Sequence, residues 1–249
     1  MGNSIVSIRD VVKEYQLGKV VVPALRGVSM EVEKGSFISI AGPSGSGKTT
    51  LLNLIGCVDT ATRGTVEVAG QNTAQLSESK LTSLRLDTIG FIFQSFNLVS
   101  VLTVFQNVEL PLLLQNRLGK AQRKARVQQL LDQVGLSSYG KHRPNELSGG
   151  QRQRVAVARA LVTDPQIVLA DEPTANLDSA TGEAIIDLMK SLNEQKGTTF
   201  IFSTHDHKVM AHANAVIKLA DGLISGRETG HDAVRSALAS TQEKLGATA

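Results

Sequence analysis

The chain has 249 residues, 41% hydrophobic and 20% charged, which suffices for one large α/β domain or two small ones and argues against disorder. Its net charge of +3 is scattered, Trp is absent and aromatic residues are 4%, so neither a basic stripe nor a set of base-stacking platforms is present and no nucleic-acid partner is expected. The single cysteine, Cys57, cannot form an internal disulfide, which suits a reducing compartment; beside Leu54, Ile55 and Val58 it reads as buried filler.

In chain order, the opening MGNSIVSIRD has neither the basic start nor the apolar core of a signal peptide, and Val6 stands where a myristoylation signal needs Ser or Thr. No apolar run approaches the roughly 20 residues that span a bilayer. The expectation is a cytosolic chain, held at a membrane, if it works there, by another polypeptide. Val28, Met30 and Val32 alternate with polar residues, as do those of Thr65–Val68, predicting half-exposed antiparallel strands. Phe37–Ala41 predicts a strand feeding a glycine loop, and Thr49–Ile55 the helix that leaves it. From about Val104 to Val162 the pattern is mainly helical, with Val127, Leu130, Leu131 and Val134 at helical spacing. Ile167–Ala170 is wholly apolar, as for a strand buried on both faces, and Thr199–Ser203 and Val216–Leu219 read as further strands. From about Glu228 no strong apolar stripe remains, so a weak helix or frayed tail of no assigned role is expected. Strands alternating with helices predict an α/β fold with a mostly parallel sheet, an antiparallel β subdomain near the N-terminus and an inserted α-helical subdomain.

Gly42, Pro43, Ser44, Gly45, Ser46, Gly47, Lys48 and Thr49 fit the phosphate-loop pattern G-x-x-x-x-G-K-[ST] without mismatch, between a predicted strand and helix. Glycines let successive backbone N–H groups converge on an anion, and the helix adds free N–H groups and the positive end of its dipole. Lys48 can reach the β and γ phosphates of ATP, and the Thr49 hydroxyl is a hard ligand suited to Mg2+. Asp171 ends the apolar strand on the side where parallel sheets bind ligands, so it can reach the metal; Glu172, next to it, can deprotonate a water in line with the γ-phosphate. A nucleotide kinase or GTPase carries a similar loop, and what lies between Lys48 and Asp171 separates them. There Leu147-Ser148-Gly149-Gly150-Gln151 offers a second turn rich in free N–H groups ahead of a helix from Arg152 to Val162. Two anion sites in one chain are reconciled if the Ser-Gly-Gly of one copy closes on the γ-phosphate held by another, giving a two-fold dimer around two ATP.

LSGGQ, the phosphate loop and IVLADEP together resemble the ATP-binding cassette family over roughly Ile5 to Gly226. The resemblance implies a P-loop NTPase (RecA-like) core and an ATPase. It implies that Tyr15 stacks on adenine, that Thr50 completes the loop, and that Gln94 touches Mg2+ and the attacking water while relaying to a membrane partner. It also implies that Asn176-Leu177-Asp178 crosses the dimer interface and that His205 contacts the γ-phosphate. Glu172, Ser148 and His205 are all retained, so both sites of a homodimer are expected to hydrolyse ATP. GPSGSGKTTLLNLIG, IGFIFQSFNLVSVLTVFQNVELPLLL and LADEPTANLDSATG are similar to bacterial cassettes of the MacB/LolD/FtsE type, which serve macrolide exporters, lipoprotein-release complexes and a cell-division regulator. That branch implies integral membrane permease subunits, a periplasmic adaptor, and a place on the cytoplasmic face of the inner membrane. Cys57 and Ala175 depart from glycines common there, and neither removes a polar group that the chemistry needs.

Residues 3–228 are thus expected to form the nucleotide-binding domain, with the helical subdomain at about 96–163 and a tail at 229–249. A soluble cassette acting on ribosomes or DNA would carry two cassettes or a long coiled coil, and neither is present. A signalling module that moves no substrate needs the same ATPase residues as an exporter and stays open as an alternative. Phe91–Leu110, apolar and next to Gln94, is the expected groove for a membrane subunit's coupling helix.

Overall fold

The computed structural model describes residues 4–232. In chain order the elements are β1 (Ser4–Leu17), β2 (Val20–Glu33), β3 (Phe37–Ala41), α1 (Lys48–Ile55), β4 (Arg63–Val68) and β5 (Gln71–Asn72). There follow α2 (Glu78–Thr88), β6 (Ile89–Ile92), α3 (Val104–Gln115), α4 (Lys120–Gln133) and α5 (Gly149–Leu161). The chain then forms β7 (Ile167–Ala170), α6 (Ser179–Lys196), β8 (Thr199–Thr204), α7 (His207–Ala211), β9 (Ala215–Ala220) and β10 (Leu223–Glu228).

Two sheets result. One is antiparallel with strand order β2-β1-β4-β5; the other has six strands in the order β10-β9-β3-β8-β7-β6, and only β10 runs against the rest. Period-two alternation sends neighbouring residues of the six-stranded sheet to opposite cores. Phe37, Val168, Ala170, Phe200 and Phe202 pack with residues of α3 to α6, while Ile38, Ile40, Ile167, Leu169 and Ile201 pack with α1 and the antiparallel sheet. A strand buried on both faces has no polar alternation to show, which is why Ile167–Ala170 and Phe200–Phe202 are apolar throughout.

The expected architecture is present: a mostly parallel sheet, a separate antiparallel sheet and a helical layer from α3 to α5. Each of the three helices owes its place to an apolar face, as in α4, where Val127, Leu130 and Leu131 are buried. Helix α5 begins at Gly149, earlier than the expected Arg152, because a capping box between Ser148 and Gln151 satisfies its first N–H groups. The expected tail lies outside the described residues beyond 232. Among the described residues no helix is long and apolar enough to cross a membrane.

Candidate functional site

The parallel strands β3, β7 and β8 end at one edge, and there a cleft of about 730 Å³ opens. Pro43, Ser44, Gly45, Gly47, Lys48, Thr49, Thr50, Gln94, Asp171, Glu172 and His205 line it, together with Val22, Pro23 and Ala24 of β2.

The loop after β3 can only be made by small residues. A Cβ on Gly42 would stand 2.1 Å from the Leu219 carbonyl oxygen, and Gly47 has φ 104 with the Ala24 carbonyl oxygen 2.6 Å from where its Cβ would be. Gly47 is the N-cap of α1 and offers no side chain to the first N–H groups, which stay available to a ligand. Ser46 is placed beneath the loop, its hydroxyl buried and its carbonyl accepting from the Gly222 N–H at 3.1 Å. The Lys48 ammonium, at 7% exposure, donates to the Gly42 and Pro43 carbonyls at 2.9 and 3.0 Å. Backbone oxygens thus hold the cation over the loop within reach of a phosphate that would replace them as its partner.

Opposite the loop, the end of β7 carries the acids and the end of β8 carries Ser203 and His205. Thr49 Oγ1 donates to Asp171 Oδ2 at 2.8 Å, and the Ser203 hydroxyl donates to Asp171 Oδ1 at 2.6 Å while accepting the Glu172 N–H at 2.9 Å. Glu172 is left-handed (φ 46), a strained conformation for a side-chain-bearing residue, and the Ser203 bond helps to hold it. Its carboxylate lies 3.8 Å from Lys48 Nζ and 2.8 Å from His205 Nδ1. Hard oxygens of Thr49 and Asp171 converge as a partial Mg2+ site would require, the rest of the shell being of the kind that phosphate and water supply. Among the described residues no group of three or more His, Cys, Asp and Glu forms a metal cage.

Gln94 exposes its side chain at the cleft, and its carbonyl accepts from Asn176 Nδ2 at 2.8 Å, tying the Gln94 loop to the segment after Glu172. Beyond it Phe96 and Asn97 are both left-handed, and Arg159 of α5 donates to their carbonyls at 2.8 and 2.6 Å. The Arg152 guanidinium lies over the Phe96 ring at 5.0 Å. Burial lowers the Arg159 pKa from its usual value.

Ser148, Gly149, Gly150 and Gln151 do not line the cleft. They form the start of α5, where Ser148 Oγ accepts from the Gln151 N–H at 3.3 Å and Gln151 Oε1 from the Ser148 N–H at 2.9 Å. The turn packs on Leu177 and Thr181, leaving no room for a Cβ at Gly150, 2.5 Å from Thr181 Cγ2. Asp178 caps α6 by accepting the Thr181 N–H at 3.0 Å, and hydrogen bonds from the Thr181 side chain and then its N–H hold the carboxyl below the ordinary range. Tyr15 stands on β1, its hydroxyl donating to Asp59 Oδ2 at 2.8 Å. Three contributors escaped the sequence reading. Ser203 supports both acids, and its position just before His205 at a strand end was the available signal. Gln153, fully buried in α5, donates to the Pro173 carbonyl at 2.7 Å. Asp59 has no motif around it.

The family model described as "ABC transporter" matches residues 25–175 of the chain. An ABC transporter ATP-binding protein of Thermotoga maritima is 47% identical over 90% of this chain and 95% of its own length. The macrolide export ATP-binding/permease protein MacB of Mannheimia succiniciproducens is 43% identical over 89% of this chain, which spans 34% of that longer protein. The solved dimer of the ATP-binding cassette MJ0796 of Methanocaldococcus jannaschii, in a post-hydrolysis state bound to ADP and Pi, superposes with a TM-score of 0.84. That likeness covers 90% of this chain and 98% of the other at 45% identity. A phosphate loop faced by paired acids, on a fold and sequence of this likeness, makes the chain a member of the ABC transporter family, as its ATP-binding and ATP-hydrolysing subunit.

Proposed function

We propose that two copies of this chain close on two ATP molecules, each gripped by the loop of one copy and by Ser148, Gly149 and Gly150 of the other, and that this cycle drives separate membrane permease subunits. The observation that carries the reading is the position of the Glu172 carboxylate, between Lys48 and His205 and beside the Thr49–Asp171 pair. Glu172 accepts a proton from water as it attacks the γ-phosphate, and His205 fixes the carboxylate through Nδ1. Lys48 exchanges its loop carbonyls for phosphate oxygens. Thr49, Asp171 and Gln94 would hold Mg2+, which when bound neutralises charge on the phosphoryl oxygens. Tyr15 takes the base, and Asp178 and Gln151 belong to the facing surfaces of the two copies.

For the membrane side, a groove of about 240 Å³ between α2, α3 and α5 is lined by Arg85, Phe91, Phe93, Asn97, Leu114 and Arg159. Leu114 in its lining is exposed, and so are Val99 and Val101 of the loop before α3 and Leu113 of α3, apolar surface of the kind a permease helix covers. The likeness to the macrolide export ATP-binding/permease protein supports an export complex with a permease; its place would be the cytoplasmic face of the inner membrane, and a periplasmic adaptor would be a further partner. Residues 3–228 serve as the nucleotide-binding domain, with a helical subdomain at about 96–163, and Phe91–Leu110 is the segment that meets the permease.

The test is Glu172→Gln. Turnover should fall about 10²–10⁴-fold, while ATP should hold a stable dimer on gel filtration. A variant that stays monomeric at saturating ATP refutes the paired-site reading.

A further inference from the structure

Tyr15 is held by more partners than a cleft-rim side chain needs. It lies opposite Val22 in the β1–β2 pair, and opposed residues of an antiparallel pair share a face; since Val22 lines the cleft, the phenol ring stands at its rim. The ring hydroxyl donates to Asp59 Oδ2 at 2.8 Å. Lys13, two residues earlier on the same face, donates to Asp59 Oδ1 at 2.6 Å and to the Thr60 carbonyl at 2.9 Å. The same ammonium lies 4.8 Å from the centre of the Tyr15 ring, so one π-face is already covered by a cation.

Asp59 has both oxygens engaged, since the Thr60 N–H also donates to Oδ1 at 2.7 Å. Burial pushes its carboxyl up, but the hydrogen bonds from Lys13, Tyr15 and Thr60 outweigh that and hold it below the ordinary carboxylate range. Burial, with the Asp59 hydrogen bond, raises the Tyr15 phenol, so the pair stays phenol and carboxylate at neutral pH. Asp59 follows closely on α1, the helix that begins with Lys48 and Thr49. A single rigid segment therefore carries the phosphate grip at one end and the tyrosine's anchor just past the other.

We propose that Asp59 and Lys13 are positioning residues for the nucleotide base: they fix the plane of the Tyr15 ring relative to the phosphate loop and leave one face open for a single purine. The inference rests on Tyr15 being the base platform. A tyrosine free to turn about its side-chain torsions must be ordered when a base stacks on it, and that ordering weakens binding. Its one hydrogen bond to a carboxylate that Lys13 and the Thr60 N–H hold in place, together with the covering ammonium, orders it beforehand.

The alternative is that the cluster merely fastens β1 to the turn after α1. The two readings differ in what they do to a ligand without a base. The affinities of the full chain for ATP and for inorganic tripolyphosphate are measured in Asp59→Ala and, in case that variant folds poorly, in Tyr15→Phe, which removes only the hydroxyl. Each should weaken ATP by about 3- to 10-fold and leave tripolyphosphate unchanged. Tyr15→Ala should weaken ATP by about 10- to 100-fold, and Asp59→Ala should add nothing in that background. Equal weakening of both ligands, or no weakening of ATP in Asp59→Ala and Tyr15→Phe, overturns the positioning role while Tyr15→Ala still tells on ATP. If Tyr15→Ala itself leaves ATP affinity unchanged, the platform reading fails and the inference fails with it.

Discussion

Replacing Gln153 by Leu tests whether the start of α5 braces the catalytic segment. The side chain is fully buried, and Nε2 donates to the Pro173 carbonyl at 2.7 Å, one residue beyond Glu172. Leucine keeps most of the volume and removes the donor, leaving a buried carbonyl unpaired at a cost of about 1–3 kcal/mol. Gln153 Oε1 is itself buried without a partner, so its removal offsets part of that loss, and the net should be about 1–2 kcal/mol. In a domain of this size that lowers Tm by roughly 2–8 °C. Because Glu172 is held in a left-handed conformation, a freed Pro173 should let it relax; a shift of about 1 Å at a reacting group costs up to about 10²-fold in rate. We expect kcat to fall about 10-fold with KM for ATP little changed, read by thermal melts and steady-state ATPase assays. Wild-type Tm together with wild-type kcat would refute the brace.

Ser203→Ala removes the hydroxyl that supports Asp171 and Glu172 together, and should weaken the Mg2+ dependence or the turnover about 10- to 100-fold, measured by titrating Mg2+ in the ATPase assay. Asn107 is buried on α3 and joins the loop before that helix, accepting from the Val99 N–H and donating to the Val99, Leu102 and Thr103 carbonyls. Asn107→Leu should destabilise the chain by about 2–3 kcal/mol in urea unfolding. Burial pushes the Cys57 thiol up to about 11, the Arg85 guanidinium drawing it partly back. With the folded pKa raised above its ordinary 9.0, the contribution is fully present below pH 9 and lost as pH rises from there to about 11. The urea midpoint should fall across that range more steeply in the wild type than in Cys57→Ala, and parallel curves would refute it.

Features whose physics is local in sequence were legible. Gly42 to Thr49 announces an anion cradle because the loop and its helix are contiguous, and IVLADEP places its acids at a strand end because the strand is apolar on both faces. The capping box Ser148–Gln151 also falls within four residues, although its consequence, an α5 that starts at Gly149, went unread. Strand β1 was missed because register shifts between Ile8 and Val11 break its alternation, and α2 because it buries little beyond Leu81 and Leu84. Contacts between distant segments left no mark: Lys13 and Asp59 stand 46 positions apart, Gln153 and Pro173 20 apart. For Ser203 the sequence offers only its place near a strand end before His205, and that does not say where a buried hydroxyl points.

Arg152 and Arg159 fasten Phe96 and Asn97 along the flank of α5, so that loop and helix travel as one body. Thirteen residues of helix make a strut about 20 Å long, and a tilt of about 10° carries its far tip about 3 Å. That is the length of a hydrogen bond. A push delivered at Asn97 would therefore break or make contacts at Ser148 with no side chain between them changing its own conformation.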